Sequence, residues 1–227
     1  MGARSKPAAA PSRPDIVLSV RVGAVPEQLR YAVRSWAAHL PHGHLVVAGP
    51  SPSWLDNAYF LDADPEAGTA AVLRAAVEDR AVSDPFLFCG PDTFVMAQQD
   101  GAGPVLHGGP AREVEGMAET YARLAELGHP DPLSYEIGVP ILFDKAAVLV
   151  ALDAAAELER PYLRTLYGNL AGLGGEPAGD AVVEFRGPRF PQDAPLLSVG
   201  ADAFVHGFVG VYVREAFPEP GPYELDG

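Results

Sequence analysis

The sequence contains a single cysteine, Cys89, among its 227 residues. One cysteine excludes a disulfide within the chain, and this scarcity fits a reducing compartment such as the cytoplasm. Cys89 lies in a short apolar run, so we expect a buried hydrophobic side chain and not a nucleophile. Cys-x-x-Cys pairs, a Gly-x-x-x-x-Gly-Lys phosphate loop and a Ser-His-Asp pattern are also missing, which removes several common classes of site.

Long apolar runs are missing as well. None approaches the ~20 residues needed to span a bilayer, so we expect no membrane-spanning helix. Residues 1–14, MGARSKPAAAPSRP, are basic and rich in alanine and proline, but they lack the apolar centre of a secretory signal. We interpret them as a flexible leader.

Basic residues are few: Lys and Arg number 16 against 30 Asp and Glu, which gives a net charge of −14. A broad interface with nucleic acid needs a basic face, so this charge disfavours one. An acidic protein can still bind a nucleotide where a metal ion or a few arginines neutralise the phosphates. The hydrophobic content of 48% suffices for a core, and we expect one domain over 15–217 with a tail over 218–227.

Hydrophobic periodicity predicts strands alternating with helices. The predicted strands are 15–20, 45–48, 59–61, 85–89, 105–107, 139–143, 182–185 and 196–199. The predicted helices are 27–40, 69–80 with Thr69 as N-cap, 113–127, 145–159 and 163–170. This order is typical of an α/β fold with a mostly parallel central sheet flanked by helices, here with a smaller C-terminal lobe.

The most informative segment is 83–96, SDPFLFCGPDTFVM. A pattern typical of a buried strand ends at Gly90-Pro91-Asp92, and a second apolar run follows. Open α/β sheets bind ligands outside the carboxyl ends of their strands, which is where Asp92 is expected. The alternative is that Asp92 only caps a turn.

Three arginines near the N-terminus are candidate phosphate ligands. Arg21 follows the first strand, a position that contacts nucleotides in doubly wound sheets, although an ordinary surface arginine fits too. Arg30 and Arg34 share one face of the first helix. They could face a phosphate, or they could form a solvated face paired with Glu27.

Two later segments add further candidates. Arg164 and Asn169, together with the glycines of 172–175, could form a turn that cradles phosphate, or the glycines could simply end a helix. Glu136 precedes a strand and could act as an acceptor-side base, or it could cap an element without any chemistry.

Two histidines are also candidates. His107 is followed by two glycines, which let the backbone approach a ligand closely, but a surface loop histidine is an equally simple interpretation. His206, with Asp202 nearby, could supply a second metal ligand, or it could be a hydrogen-bonded histidine in a turn.

Five phrases together resemble a known family. They are LRYAVRSWAAHLP (29–41), PSWL (52–55), VSDPFLFCGPDTFV (82–95), YEIGVPILFDKAA (135–147) and RTLYGNLAGLGG (164–175). They are similar to glycosyltransferase-like proteins of actinobacteria and their phages, relatives of the Stealth-type sugar-phosphate transferases that build polysaccharide capsules. The resemblance covers roughly residues 15 to 223.

The resemblance implies a GT-A nucleotide-sugar transferase fold, with a nucleotide-binding half of about 15–100 and an acceptor half of about 101–217. It implies a nucleotide-sugar donor, a polysaccharide, nucleic-acid base or protein as acceptor, and the host cytoplasm if a phage encodes the chain. Mn²⁺ or Mg²⁺ would lie on Asp92 with His206 as a candidate second ligand. Taken with the candidates above, the predicted site residues are Asp92, Glu136 and His107 for catalysis and Arg21, Arg30, Arg34, Arg164 and Asn169 for donor binding.

The sequence departs from the family pattern at three polar positions. Gly90-Pro91-Asp92 replaces Asn-Asp-Asp, Gly108-Gly109 follows His107 in place of a basic residue, and Gly138 replaces a histidine. Two hypotheses therefore stay open. The chain is an active glycosyl or phosphoglycosyl transferase, or it has lost turnover and serves as a sugar-binding, nucleotide-binding or assembly protein.

Overall fold

A computed structural model describes residues 13–21, 23, 26–178 and 182–225, so most of the predicted leader and the last two residues lie outside the described ranges. Its strands are β1 (Asp15–Ser19), β2 (Leu45–Ala48), β3 (Tyr59–Leu61), β4 (Phe86–Cys89), β5 (Thr93–Val95), β6 (Leu106–His107), β7 (Ile141–Phe143), β8 (Glu176–Pro177), β9 (Val182–Val183) and β10 (Leu196–Val199). Its helices are α1 (Pro26–His39), α2 (Thr69–Glu78), α3 (Ala118–Glu126), α4 (Lys145–Ala155), α5 (Leu163–Leu170), α6 (Ala201–His206) and α7 (Phe208–Ala216).

The central sheet has the strand order β3-β2-β1-β4-β7. Its first four strands run parallel, and β7 pairs antiparallel with β4. Alternate residues of β1 enter different cores: Ile16 and Leu18 pack with α1, whereas Val17 packs with α2, α4 and α5. Both faces are covered, which is why these strands are continuous apolar runs. The predicted α/β fold with a mostly parallel, helix-flanked sheet is confirmed.

The chain reverses its direction of travel across the sheet between β1 and β4. From β1 it proceeds to β2 and β3 on one side, and then β4 joins the opposite side of β1. Ligands of open α/β sheets bind outside the carboxyl ends of the strands at such a reversal. Arg21 follows β1 and Asp92 follows β4, so both lie at this edge.

A second, smaller sheet has the order β5-β10-β9 and brings the C-terminal part against the first half. Two helices follow β10, and Phe204 of α6 stacks on Phe94 of β5 with ring centroids 5.7 Å apart. The sequence pattern did not predict α6 and α7, because Gly207 separates them and neither has a side-chain N-cap.

Several helix boundaries differ from the prediction, including both ends of α1 by one residue and the end of α2, which lies at Glu78. Helix α3 begins at Ala118 and not at 113, because residues 111–113 form a 3₁₀ turn and Gly116 has a φ of +79°. The N-cap of α2 is Gly68, which leaves Thr69 as the first helical residue. Helix α4 ends at Ala155. In the described part of the chain, no helix is long and apolar enough to cross a bilayer.

The C-terminal segment 217–225, most of the predicted tail, is held against α1. Arg34 donates to both carboxylate oxygens of Glu224 at 2.6 and 2.9 Å and to the carbonyl of Phe217 at 2.9 Å. Both partners of this ion pair are buried, with side-chain exposures of 9% and 7%. The amide of Leu225 also donates to the carbonyl of Trp54 at 2.9 Å.

We expect Glu224→Gln to lower the free energy of unfolding by about 3 kcal/mol, because Arg34 would keep a buried charge without its counter-ion. Urea denaturation would measure the change. Asp202→Asn is the control, since its ion pair with Arg186 has both side chains more than half exposed and its loss should leave stability unchanged. Equal stability of the Glu224 variant and the wild type would contradict the expectation.

Candidate functional site

Asp92 occupies the turn between β4 and β5 and is half-buried. Its Oδ2 accepts a hydrogen bond from the Ser198 hydroxyl at 3.0 Å, and its backbone carbonyl accepts from the amide of Val199 at 3.0 Å. These bonds to β10 fix the position of the carboxylate. No ion pair joins Asp92 to any residue of the described ranges, so its charge is available at the edge of the sheet.

The backbone of Gly138 packs closely against this carboxylate. Its φ is +64°, and a Cβ built there would collide with the Ser198 hydroxyl and lie 2.8 Å from Ser198 Cβ and 3.4 Å from Asp92 Oδ2. The Thr93 hydroxyl donates to the carbonyl of Gly138 and holds the backbone in place. A histidine, which the family pattern has here, does not fit on this backbone.

Arg164 lies behind the same backbone segment, in the first turn of α5, and is only 8% exposed. Its Nη2 donates to the carbonyl of Val139, whereas its Nε has no acceptor among the described residues. A buried N–H group without a partner typically costs about 1–3 kcal/mol. Burial lowers the pKa of the Arg164 guanidinium, and the nearby carboxylates of Glu136 and Asp92 oppose this shift.

Glu136 lies at the N-terminus of α5, where its Oε1 accepts from the amide of Thr165 at 3.1 Å. Burial raises the pKa of the Glu136 carboxyl, and the guanidinium of Arg164 partly opposes that rise. The carboxyl therefore caps a helix and belongs to the same electrostatic cluster as Arg164 and Asp92. Burial also raises the pKa of Cys89 to about 12, so this thiol is unreactive, as expected from its apolar run.

A cleft of about 300 Å³ borders β7, and Asp92 is not among the residues that line it. Its walls come from the 102–106 loop, the 139–142 segment and α5, and most of them are apolar. Arg164 is the one cationic side chain among its lining residues. Val139 lines this cleft and the neighbouring Gly138 packs against Asp92, so the segment 138–139 borders both places.

His107 and Asn169 are both engaged away from Asp92. The Nδ1 atom of His107 accepts from the amide of Gly109 at 3.0 Å, which places the proton of the neutral ring on Nε2. The amide of Asn169 donates to the carbonyls of Leu133 and Thr165, each at 2.8 Å. These side chains stabilise the 107–109 and 133–135 backbone, and the structure does not bring them to the site.

Arg30 and Arg34 face the C-terminal segment and not the edge of the sheet. Arg34 binds Glu224, and Arg30 lies 3.4 Å from the same carboxylate and 5.2 Å from the Trp54 ring centroid. The alternative prediction was that Arg30 and Arg34 pair with Glu27. The hydrogen-bonded partner of Glu27 is instead Arg214, which donates to it at 2.9 and 3.0 Å. Both arginines are therefore structural.

His206 is exposed at the C-terminal end of α6, with Asp202 as its neighbouring charge. Asp202 is itself paired with Arg186. No contact joins His206 to Asp92, and no three His, Cys, Asp or Glu side chains converge as a metal site within the described ranges. Arg21 is exposed at the end of β1, on the same edge of the sheet as Asp92.

Sequence reasoning missed Ser198 and the cleft. Ser198 is a polar residue inside the apolar run LLSV of β10, and a buried polar residue in such a strand is a signal that could have identified it. The cleft had no such signal, because its walls come from segments far apart in the chain.

No family profile matches the sequence, and no curated protein matches it. Among solved structures, the chain shows similarity to the glycosyltransferase GlyE of Streptococcus pneumoniae TIGR4, with a TM-score of 0.43 and 10% identity over 75% of this chain. The apo form of GlyE gives a TM-score of 0.39 at the same identity and coverage. The chain spans about half the length of these structures, 46% of each. Similarity at this level identifies neither a donor nor an acceptor.

We expect Gly138→Ala to lower the free energy of unfolding by about 2–4 kcal/mol, from its left-handed backbone and the collision with Ser198. Gly172→Ala is a matched control, because Gly172 has the same φ of +64° with nothing within 4 Å of its would-be Cβ. Gly172→Ala should lower the free energy of unfolding only by the cost of the left-handed backbone conformation, about 1 kcal/mol. If urea denaturation gave the same decrease in the free energy of unfolding for both variants, the collision with Ser198 would contribute nothing.

A second expectation concerns the pH dependence of stability. In the unfolded chain Glu136 ionises around its ordinary pKa of 4.5, and the folded protein retains the proton to higher pH. The contribution of Glu136 to the free energy of unfolding therefore falls as pH rises from 4.5 through the folded pKa. Glu136→Gln should thus gain stability relative to the wild type over that range and not at lower pH.

Urea denaturation across a pH series would test this, with Glu157→Gln at an exposed position as the correction for net charge. A Glu136→Gln difference that does not vary with pH would contradict the buried, raised-pKa description of this carboxyl.

Proposed function

We propose that this chain is a glycosyltransferase-like protein of the GT-A type. It transfers a sugar or sugar phosphate from a nucleotide-activated donor to a polysaccharide, nucleic-acid or protein acceptor. The donor diphosphate binds at the edge where β1 and β4 end. One observation carries the proposal: the Asp92 carboxylate stands at this reversal of the sheet, fixed by Ser198 and without an ion-pair partner in the described ranges. Open α/β sheets bind nucleotides at this place.

A divalent cation, Mn²⁺ or Mg²⁺, belongs to this proposal with Asp92 as its ligand. Such cations typically bind through one or two carboxylates, with phosphate oxygens and water completing the shell. One positioned carboxylate, with no cluster of three ligands among the described residues, fits a cation shared with the donor and not a site built from protein alone. When bound, the cation would offset the negative charge that develops on the leaving diphosphate.

Arg21 is the proposed second contact to the donor. It is exposed directly after β1, the strand next to β4, and its guanidinium suits a phosphate or a base edge. Arg30 and Arg34 have no part in this proposal, because they bind the C-terminal segment.

Specific observations favour a second candidate, a protein that binds the donor without turnover. Gly138 leaves no room for a histidine, Glu136 caps α5, and His107 lies within β6. Of the candidate catalytic residues, Asp92 is thus the one whose charge is available at the edge of the sheet. Both candidates share donor binding and differ in whether a sugar is released.

The test of the shared step is calorimetric titration of UDP, GDP and TDP with and without Mn²⁺. We expect one of them to bind in a Mn²⁺-dependent way, and Asp92→Asn to weaken that binding about tenfold or more. Asparagine can keep the hydrogen bond from Ser198, so the fold should persist. Asp153→Asn, at an exposed position of α4, is the matched control.

Unchanged affinity in Asp92→Asn, or no binding by the wild type, would overturn the proposal. Release of nucleoside diphosphate from UDP-, GDP- or TDP-sugars then separates the candidates. Turnover supports the transferase, and Mn²⁺-dependent binding without release supports the binding protein.

A further inference from the structure

We propose that the cleft beside β7 binds a small amphipathic anion, with the anionic head at Arg164 and the apolar body along the cleft. This proposal does not rest on the proposed function, because it uses Arg164 and the walls of the cleft, and Asp92 is not among the residues that line it. It assigns a second ligand site to the chain.

The charge of Arg164 is the first argument. Its side chain is nine-tenths buried, yet no carboxylate of the described ranges lies within ion-pair distance of it. Its Nη2 binds the Val139 carbonyl, and its Nε has no acceptor among those residues. Glu136 is the carboxylate that acts most strongly on this charge, but it does not form a direct ion pair with it. Buried charges in proteins are normally paired directly, and a carboxylate or phosphate head in the cleft would supply such a partner.

The composition of the walls is the second argument. Apolar side chains of Val105, Leu142 and Leu173 line the cleft. Two tyrosine hydroxyls near it are already engaged, since Tyr135 donates to the carbonyl of Gly174 at 2.8 Å and Tyr167 donates to that of Leu142 at 2.9 Å. Besides Arg164, the charged group that lines the cleft is Asp144 near its other end, so an apolar ligand body fits the walls between them.

The two ends of the cleft carry opposite charges. Arg164 binds the backbone at Val139, just before β7, whereas the lining carboxylate of Asp144 follows β7 and caps α4 through the amide of Ala147 at 2.9 Å. Opposite charges thus stand at opposite ends of the strand, and the anionic head is expected at the Val139 end. A volume of about 300 Å³ is at the lower end for ligand pockets and suits a small molecule, not a protein segment.

The test is calorimetric titration of the full chain with four probes: octyl phosphate, octanoate, octyl glucoside and inorganic phosphate. We expect octyl phosphate, octanoate or both to bind about tenfold or more tightly than the neutral octyl glucoside and the bare phosphate. The stronger of the two anionic amphiphiles identifies the head group. Nucleoside diphosphate should not displace it.

Arg164→Gln should weaken binding of the preferred amphiphile about tenfold or more. Arg164 is buried, so its replacement can impair folding. A second variant therefore places a large side chain in the cleft at an exposed lining residue. Val105 is 42% exposed, so Val105→Trp should be tolerated while it obstructs the ligand. Leu127→Trp is the matched control, since Leu127 is also 42% exposed and does not line the cleft.

Loss of binding in Val105→Trp but not in Leu127→Trp supports the site. The proposal is overturned if none of the amphiphiles binds, if octyl glucoside binds as tightly as the anions, or if Val105→Trp binds like the wild type.

Discussion

The backbone of Gly138 approaches the Asp92–Ser198 hydrogen bond so closely that no side chain fits between them. Three elements meet at this contact: β5 binds the Gly138 carbonyl through Thr93, β10 supplies Ser198, and α5 binds the next carbonyl through Arg164. Gly138 therefore packs against the carboxylate proposed for the donor, and its neighbour Val139 lines the apolar cleft.

Two buried arginines show how the same group can serve stability or binding. Arg34 has a carboxylate partner and two carbonyl acceptors, so it is satisfied within the chain and anchors the C-terminal segment. Arg164 has one carbonyl acceptor and no ion-pair partner in the described ranges. Burial is similar in both, so the difference in partners distinguishes a structural cation from one available to a ligand.

The sequence predicted much of the central sheet, because β1, β2 and β4 are buried on both faces and therefore appear as uninterrupted apolar runs. It also predicted Asp92 at a strand end. The pairing of Arg34 with Glu224 was not predictable, since 190 residues separate them. The same holds for Gly138, whose crowding comes from Ser198 on a distant strand. The local sequence pattern identifies helices and strands. These two contacts instead depend on how helices and strands that are distant in sequence pack together.

We propose two sites in this chain, one for the donor at Asp92 and one for an amphiphile at Arg164. A crystal structure with a nucleoside diphosphate, Mn²⁺ and octyl phosphate is the most direct test of this arrangement. We expect the diphosphate beside Asp92 and the octyl chain in the cleft beside β7, both bound at once. A diphosphate bound to Arg164, or both ligands competing for the same cleft, would be the opposite result.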